Sequence, residues 1–298
     1  MRLQRVVVGM DFSASAEAAA RWTARCFAPG AELVLVHAIA VPEPPRFFRG
    51  RFPPKDIVVE SARVGADKRM RELSESLGAQ RIWLEIREGD PATQIAAVAA
   101  EYTADAIVVG PHGARTGVGQ RPGGTAAQLL RNATIPVVLG TNVGEATPRR
   151  LLVPIDEAPI TDALLGWARF LAEQYDADVT VLHVVSSSML SGLLSAGAVV
   201  SGVMVPVPEE VLANAVQDAE LWVDQTIAAA GLDAQGVHRE VTLGDPVHEI
   251  LGAAKRLESD MIILGSHTHG VRAALLGSVA REVLRGAARP VFVVRATQ

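Results

Sequence analysis

Short apolar runs alternate with longer amphipathic stretches along the whole chain. Residues 5–10 and 32–39 are rich in Val and Leu and predict buried strands, whereas residues 16–27 space their apolar side chains as an amphipathic helix does. Residues 81–87 alternate apolar and polar side chains, which is typical of a half-buried strand at the edge of a sheet. Strands and helices that alternate in this way predict an α/β fold with a mostly parallel sheet and helices on both faces.

The same series of elements occurs twice. Three landmarks of the first half recur in the same order in the second: Asp11 as Asp156, Gly89-Asp90-Pro91 as Gly244-Asp245-Pro246, and Gly110 as Gly265. Such self-similarity predicts tandem copies of one domain, which we place at residues 1–145 and 146–298. The seam near residues 141–148 is rich in Thr, Asn, Gly and Pro, as linkers are. In each Gly-Asp-Pro turn, the Asp predicts a helix N-cap and the Pro the first helical residue.

Each copy carries a glycine-rich segment after its fourth predicted strand. An apolar run ends abruptly in glycine, and a later glycine followed by Thr or Ser leads into a helical stretch. The residues concerned are Gly110, Gly113, Gly124 and Thr125 in the first copy and Gly265, Thr268, Gly277 and Ser278 in the second. Strand, glycine loop and helix N-terminus suit phosphate binding, because glycine lets backbone N–H groups approach an anion and the helix dipole favours negative charge.

Polar residues follow other strands of each copy. Asp11 and Asp156 end the first strand, and an ionised Asp can accept both ribose hydroxyls of a nucleotide. The alternative is that this carboxylate only caps the next helix. If the first and fourth strands are neighbours, the carboxylate faces the glycine loop, because ligands of parallel sheets bind where the winding reverses. His37 and His183 end the second strand and are expected to be hydrogen-bonded residues lining this crevice.

Neither loop carries the groups of a known phosphate-transfer site. Both lack the lysine of a Walker A loop, and neither contains an Asp or Glu that would hold magnesium or activate water. The loop cations are Arg115, Arg121 and Arg272. The loop histidines, His112, His267 and His269, have poor spacing for metal binding. We therefore predict no catalytic residue and no metal site.

Composition narrows the class of protein. The net charge of −5 comes from interspersed acids and bases, which argues against a nucleic-acid partner. No apolar run approaches the roughly 18 residues of a membrane span, and no signal peptide is expected before the first strand. Cys26 is the only cysteine, so no internal disulfide forms, and its place in an amphipathic helix favours a small buried residue over a reactive thiol. We expect a soluble cytoplasmic protein without a membrane partner.

These motifs resemble those of universal stress proteins over nearly the whole chain. The family signature is Gly-x2-Gly-x9-Gly-Ser/Thr after the fourth strand, with an Asp after the first strand and Pro-Val before the fifth. The resemblance implies two tandem Rossmann-like domains, similar to adenine-nucleotide α-hydrolase folds, each with a five-stranded parallel sheet. It also implies ATP as a cofactor, with or without magnesium, although some family members have lost nucleotide binding.

The resemblance also implies roles for particular residues. Asp11 and Asp156 would bind ribose, and Ala38 and Val184 would contact adenine. The residues that would hold phosphates are Gly110, Gly113, Gly124, Thr125, Gly265, Gly277 and Ser278. Counted to Gly124, the first loop has ten residues after Gly113 instead of nine, whereas the second has Thr268 for the second glycine and eight residues before Gly277. These departures predict tighter binding by the first copy.

We predict an adenine-nucleotide-binding regulatory protein with little or no hydrolysis. Two alternatives stay open: a nucleotide-free interaction scaffold, and a slow ATP-cleaving enzyme. The last strands, residues 137–140 and 291–295, are short and apolar, which predicts that the two halves pair along them and allows a homodimer. The sequence does not identify a protein partner.

Overall fold

The computed structural model describes residues 3–41, 53–78, 81–113, 122–186, 209–232, 236–266 and 276–295. The chain divides into two compact units, residues 2–147 and 148–298, called here the N-terminal and C-terminal units. Both are built from alternating strands and helices. Among the helices that the structure describes, none combines the length and apolarity needed to cross a bilayer.

The N-terminal unit follows the predicted order of elements. They are β1 (Arg5–Gly9), α1 (Ala14–Trp22) with a π-helical turn (Thr23–Phe27), β2 (Glu32–Ile39), α2 (Lys55–Leu77), β3 (Ile82–Glu88), α3 (Pro91–Glu101), β4 (Ala106–Val109), α4 (Gly124–Asn132) and β5 (Val137–Leu139).

The C-terminal unit repeats this order. Its elements are β6 (Arg150–Ile155), α5 (Thr161–Tyr175), β7 (Asp178–Ser186), α6 (Glu209–Ala229), β8 (Val237–Gly244), α7 (Pro246–Arg256), β9 (Met261–Gly265), α8 (Ser278–Gly286) and β10 (Val291–Val294).

All strand pairs within each unit are parallel, in the order β3-β2-β1-β4-β5 and β8-β7-β6-β9-β10. In the N-terminal unit, Val7 of β1 is in register with Val34 on one side and Ile107 on the other. The chain therefore winds outward from β1 to β3 and then returns to β4 on the opposite side of β1. This confirms that the first and fourth strands are neighbours, so their carboxyl ends form the switch point of the sheet.

The core of each unit is aliphatic. Val6, Val7 and Val8 of β1 are fully buried, as a central parallel strand requires. β3 is only half-buried and pairs with β2, which confirms its prediction as an edge strand. Cys26 is buried, and this burial raises the pKa of its thiol, in agreement with a packing role.

Candidate functional site

A cavity of about 460 Å³ lies at the carboxyl ends of β1 and β4 in the N-terminal unit. This volume is within the range of small-molecule sites, roughly 300–1,000 Å³. It is lined by every first-copy residue for which the sequence predicted a nucleotide contact: Asp11, Ala38, Gly110, Gly113, Gly124 and Thr125. His37, His112 and Gly123 join them. The fold thus brings together residues that are far apart in the sequence.

Asp11 orders the turn that leads from β1 into α1. Its Oδ1 accepts hydrogen bonds from the backbone N–H of Ser13 at 3.0 Å and from the Ser13 hydroxyl at 2.6 Å. The N-cap of α1 is Ser13 itself, whose side chain accepts a backbone N–H from the first turn. In the C-terminal unit, Asp156 accepts from Ala158 N at 3.2 Å, and the N-cap of α5 is Ile160. The alternative that these aspartates cap the helices is therefore wrong, because other residues hold the cap positions.

The strand-end histidines are fixed by the backbone. His37 Nδ1 lies 2.8 Å from Met10 O, and His183 Nδ1 lies 3.0 Å from Ile155 O. Because a carbonyl oxygen only accepts, Nδ1 carries the proton in both rings, and Nε2 of the neutral imidazole is an acceptor. The prediction that these histidines are hydrogen-bonded strand-end residues is confirmed, and His37 lies in the cavity wall as expected. The expectation that His183 lines the corresponding cavity of the C-terminal unit is wrong, since Leu182 and Val184 on either side of it do so instead.

The ends of the glycine loop meet through a backbone hydrogen bond. Gly123 N donates to Pro111 O at 2.9 Å, and Gly277 N donates to Ser266 O at 2.9 Å. Gly123 is the N-cap of α4 with φ −59° and ψ 162°, and Gly277 is the N-cap of α8 with φ −55° and ψ 154°. Gly123, and not Gly124, is therefore the structural equivalent of Gly277.

This equivalence corrects the motif spacing. Residues 114–122 separate Gly113 from Gly123, so the N-terminal loop has the nine-residue spacing of the family signature. The ten-residue count was wrong because it placed the start of α4 one residue late. Gly124 stands where the signature has Ser or Thr and corresponds to Ser278, whereas Thr125 corresponds to Val279. Matching the buried Ala126, Leu129 and Leu130 with Ala280, Val283 and Leu284 would have revealed the register from the sequence.

Gly110 and Gly124 have different surroundings. A Cβ on Gly110 would lie 3.0 Å from Ala16 N and 3.0 Å from Ser15 Oγ, so glycine is needed for the close approach of α1 to the end of β4. A Cβ on Gly124 would meet no protein atom within 4 Å. Packing therefore requires glycine at position 110, whereas Gly124 faces open space at the N-terminus of α4.

The corresponding cavity of the C-terminal unit is much smaller, about 120 Å³. Asp156, Val184 and Gly265 line it, whereas Gly277 and Ser278, at the start of α8, are not among its lining residues. Ile160 and Leu164 also line it. A Cβ on Gly265 would lie only 2.9 Å from Leu164 Cδ1 and 3.1 Å from Ile160 Cγ2, so these side chains press against the strand end.

Ile160 and Leu164 mark a difference between the two cavities that was not recognised from the sequence. Aligning Trp22 with Trp167 places them opposite Ser15 and Ala19 of the N-terminal unit. Larger apolar side chains thus stand at these two positions in the C-terminal unit, where they line the smaller cavity. The prediction about Thr268 stays a prediction, because this residue lies outside the described residues. So do the other loop residues that the sequence singled out: Arg115, Arg121, His267, His269, Gly270 and Arg272.

The described residues contain no group of three or more His, Cys, Asp and Glu side chains arranged to hold a metal ion. Among the described residues, no titratable group with a displaced pKa lines the N-terminal cavity. Asp90, the N-cap of α3, is close to the rim of this cavity. Its carboxylate accepts a hydrogen bond from the Thr93 N–H, which holds the pKa of this carboxyl below its ordinary value. Gln128 of α4 donates to the same carboxylate at 3.1 Å and so ties α3 to α4.

The family model described as the universal stress protein family matches residues 2–139 and 147–295. The chain belongs to the universal stress protein family. The two matches confirm the tandem organisation. A universal stress protein from Mycolicibacterium smegmatis is 28% identical, over 97% of this chain and 96% of its own length. Universal stress protein YxiE from Bacillus subtilis is 30% identical over 98% of its own length but covers 49% of this chain.

The structural comparison supports the same fold over the whole chain. The crystal structure of a universal stress protein from Archaeoglobus fulgidus superimposes with a TM-score of 0.69 at 19% identity. The superposition covers 98% of this chain and 96% of that chain. Universal stress protein domains are therefore the unit repeated here, and the parallel α/β class predicted from the sequence is confirmed.

Proposed function

We propose that this universal stress protein binds an adenine nucleotide, ATP in the first place, in its N-terminal unit. The observation that carries the proposal is the cavity of about 460 Å³ at the switch point of the sheet. It is lined by an Asp at one strand end, by a glycine loop at the neighbouring strand end and by the N-terminus of α4. These are the groups that a ribose and a chain of phosphates require.

Each part of the cavity suits one part of the nucleotide. Asp11 offers carboxylate oxygens to ribose hydroxyls, and the apolar Val36, Ala38 and Pro91 offer walls to a purine. Gly123 gives α4 no side-chain cap, so the N–H groups of the first turn suit phosphate oxygens. Magnesium would then be bound through the phosphates, because the described loop residues supply no carboxylate for it.

We propose a regulatory role without rapid hydrolysis. Asp11 is the one carboxylate among the described residues that line the cavity, and it is engaged by the Ser13 N–H and hydroxyl. The imidazoles of His37 and His112 are the other titratable groups there. Slow ATP cleavage with His112 as a base is the enzymatic alternative. The protein would act in the cytoplasm.

The scaffold alternative fits the C-terminal unit. Its cavity of about 120 Å³, which Ile160 and Leu164 help to line, is below the size of ordinary ligand sites. We propose that this unit does not bind nucleotide and acts as the interaction half of the molecule. Pairing of the two halves along their last strands stays a prediction.

Mass spectrometry of the freshly purified, denatured protein and calorimetric titration with ATP test the proposal together. We expect ATP or ADP to co-purify and one ATP to bind per chain. Release of inorganic phosphate from bound ATP, followed over hours, tests the enzymatic alternative. Absence of ATP binding to nucleotide-free protein would overturn the proposed function, and two equal sites per chain would overturn the assignment to one unit.

A further inference from the structure

Phe12, the residue directly after Asp11, has an unusual backbone conformation. Its φ of +61° lies in the left-handed region, which a residue with a Cβ adopts only when its surroundings hold it there. Phe12 is part of the turn that aims the Asp11 carboxylate. Whatever holds Phe12 therefore also controls the direction of Asp11.

Arg69 of α2 makes the contacts that hold Phe12. Its guanidinium donates to Phe12 O at 3.2 Å, and its Cζ lies 4.3 Å from the centroid of the Phe12 ring. Glu17 of α1 orients the same guanidinium from 3.5 Å. The Phe12 ring also packs on the imidazole of His37, with ring centroids 4.6 Å apart.

Both neighbours of Asp11 are thus anchored through their carbonyl oxygens. His37 Nδ1 donates to Met10 O before Asp11, and Arg69 donates to Phe12 O after it. The two side chains come from different elements, β2 and α2. The turn that carries Asp11 is consequently held from both ends against the wall of the cavity.

The C-terminal unit is built differently at this place. Aligning the helix-ending Gly78 with Gly231, which have φ of +63° and +66°, places Trp222 opposite Arg69. Trp222 packs edge-on against His183, with ring centroids 5.0 Å apart. An indole in this position cannot reproduce the charge and the forked donors of a guanidinium. The Arg–Phe arrangement belongs to the unit with the larger cavity.

We propose that Arg69 is a positioning residue that aims Asp11 at the ribose of the bound nucleotide. The inference rests on the proposed function and adds to it a group outside the cavity wall. Arg69 sets the preference for a ligand with ribose hydroxyls, and it does so without touching the ligand. Binding of the phosphates and the base is independent of it.

Calorimetric titration with ATP and with 2′,3′-dideoxy-ATP, on the full-length protein, tests this inference. We expect the unmodified protein to prefer ATP by about tenfold, the scale of hydrogen bonds to a charged group. Arg69→Met should weaken ATP binding about fivefold, the scale of an exposed cation–π contact with its hydrogen bond, and leave dideoxy-ATP binding unchanged. Arg69→Lys, which keeps a cation and a donor, should restore most of the preference.

Arg71→Met is the matched control. Arg71 lies on the same helix, pairs with Asp67 and loses the same charge when replaced, so it reports any general electrostatic effect on an anionic ligand. A thermal melt of each variant shows whether a weaker affinity comes from unfolding or from a changed direction of the Asp11 carboxylate. An equal loss for both nucleotides in Arg69→Met, or an unchanged preference, overturns the inference while ATP binding stands. Absence of ATP binding in the unmodified protein overturns the proposed function, and the inference with it.

Discussion

The hydroxyl of Ser15 donates to the carbonyl oxygen of His112 at 2.8 Å and so joins the first turns of α1 to the loop after β4. Ser13 Oγ lies 3.1 Å from Ser15 Oγ and continues the contact to Asp11. The two edges of the cavity are thus linked by hydroxyl groups. In the C-terminal unit, Ile160 takes the place of Ser15 and is buried. The same position is polar beside a large cavity and apolar beside a small one.

Replacing Ser15 by Ile tests whether this position decides nucleotide binding. The isoleucine adds apolar volume next to Ala16 of the cavity wall, at the position where Ile160 lines the smaller cavity, so we expect ATP affinity to fall at least about tenfold. Ser15→Ala is the control, because it removes the hydrogen bond without adding volume. We expect it to cost about 1 kcal/mol of unfolding free energy and to leave ATP affinity within about threefold. Equal ATP affinities of the two variants in calorimetry would contradict the cavity argument.

Asp11→Ala and Asp156→Ala form a matched pair that locates the ribose contact. If Asp11 binds ribose, its replacement should cost about 1.5–3 kcal/mol of binding free energy, which is about ten- to a hundredfold in ATP affinity. Asp156→Ala should leave the affinity unchanged, since its unit has the smaller cavity. Titration calorimetry measures the ATP affinity of both variants. A thermal melt measures how much stability each variant loses when the Asp no longer orders its turn. Unchanged ATP affinity with a lowered melting temperature in Asp11→Ala would refute the ribose role.

The residues predicted to bind nucleotide that line the cavity could be recognised from the sequence because their signals are local. An apolar run that ends in glycine, and an Asp at a strand end, are properties of a few consecutive residues, and the parallel order of strands then brings them together. The start of α4 was missed because Gly123 and Gly124 are adjacent and both permit a helix N-terminus. Which of them is the cap depends on the carbonyl that accepts from Ala127 N, and that is Gly123 O.

The difference between the two cavities was harder to predict, because it depends on packing between elements. Thr268 drew attention as a departure within the motif itself. Ile160 and Leu164 lie outside any motif, and their effect appears only when α5 is packed against Gly265. The left-handed conformation of Phe12 is a similar case, since its sequence neighbours give no sign of Arg69, which reaches it from another helix.

The lowered pKa of Asp90 predicts that the unfolding free energy depends on pH. The Thr93 N–H, the Thr93 hydroxyl and Gln128 hold the pKa of this carboxyl below its ordinary value. A group whose pKa is lower in the folded state stabilises the protein above its unfolded pKa and loses this effect as the pH falls through its folded pKa.

Asp90→Asn isolates the charge, because Asn also caps helices well. We expect the unmodified protein to exceed the variant by about 0.5–1 kcal/mol in unfolding free energy at neutral pH. Urea denaturation at several pH values should show this difference constant down to about pH 5 and declining below about pH 4. A difference that stays the same through the acid range would show that the charge is not responsible.

Gly124 offers a direct test of the corrected motif. Gly124→Ser would place a hydroxyl at the position of Ser278, at the N-terminus of α4, where a Cβ meets no protein atom within 4 Å. If phosphates bind there, the new donor should raise ATP affinity by about three- to tenfold. Gly124→Ala is the control, because it adds the same Cβ without the hydroxyl, and it should leave the affinity unchanged.

Both Gly124 variants should be at least as stable as the unmodified protein, since a residue with a side chain loses less backbone entropy than glycine on entering a helix. A change in ATP affinity therefore cannot be attributed to loss of fold, and a thermal melt checks this directly. If Gly124→Ser and Gly124→Ala give the same ATP affinity, Gly124 is not the Ser/Thr position of the signature. The equivalence of Gly123 with Gly277 then describes the helix start alone and not the phosphate contacts. If Gly124→Ser alone binds more tightly, the hydroxyl lies within reach of the ligand, and the register set by α4 and α8 is the functional one.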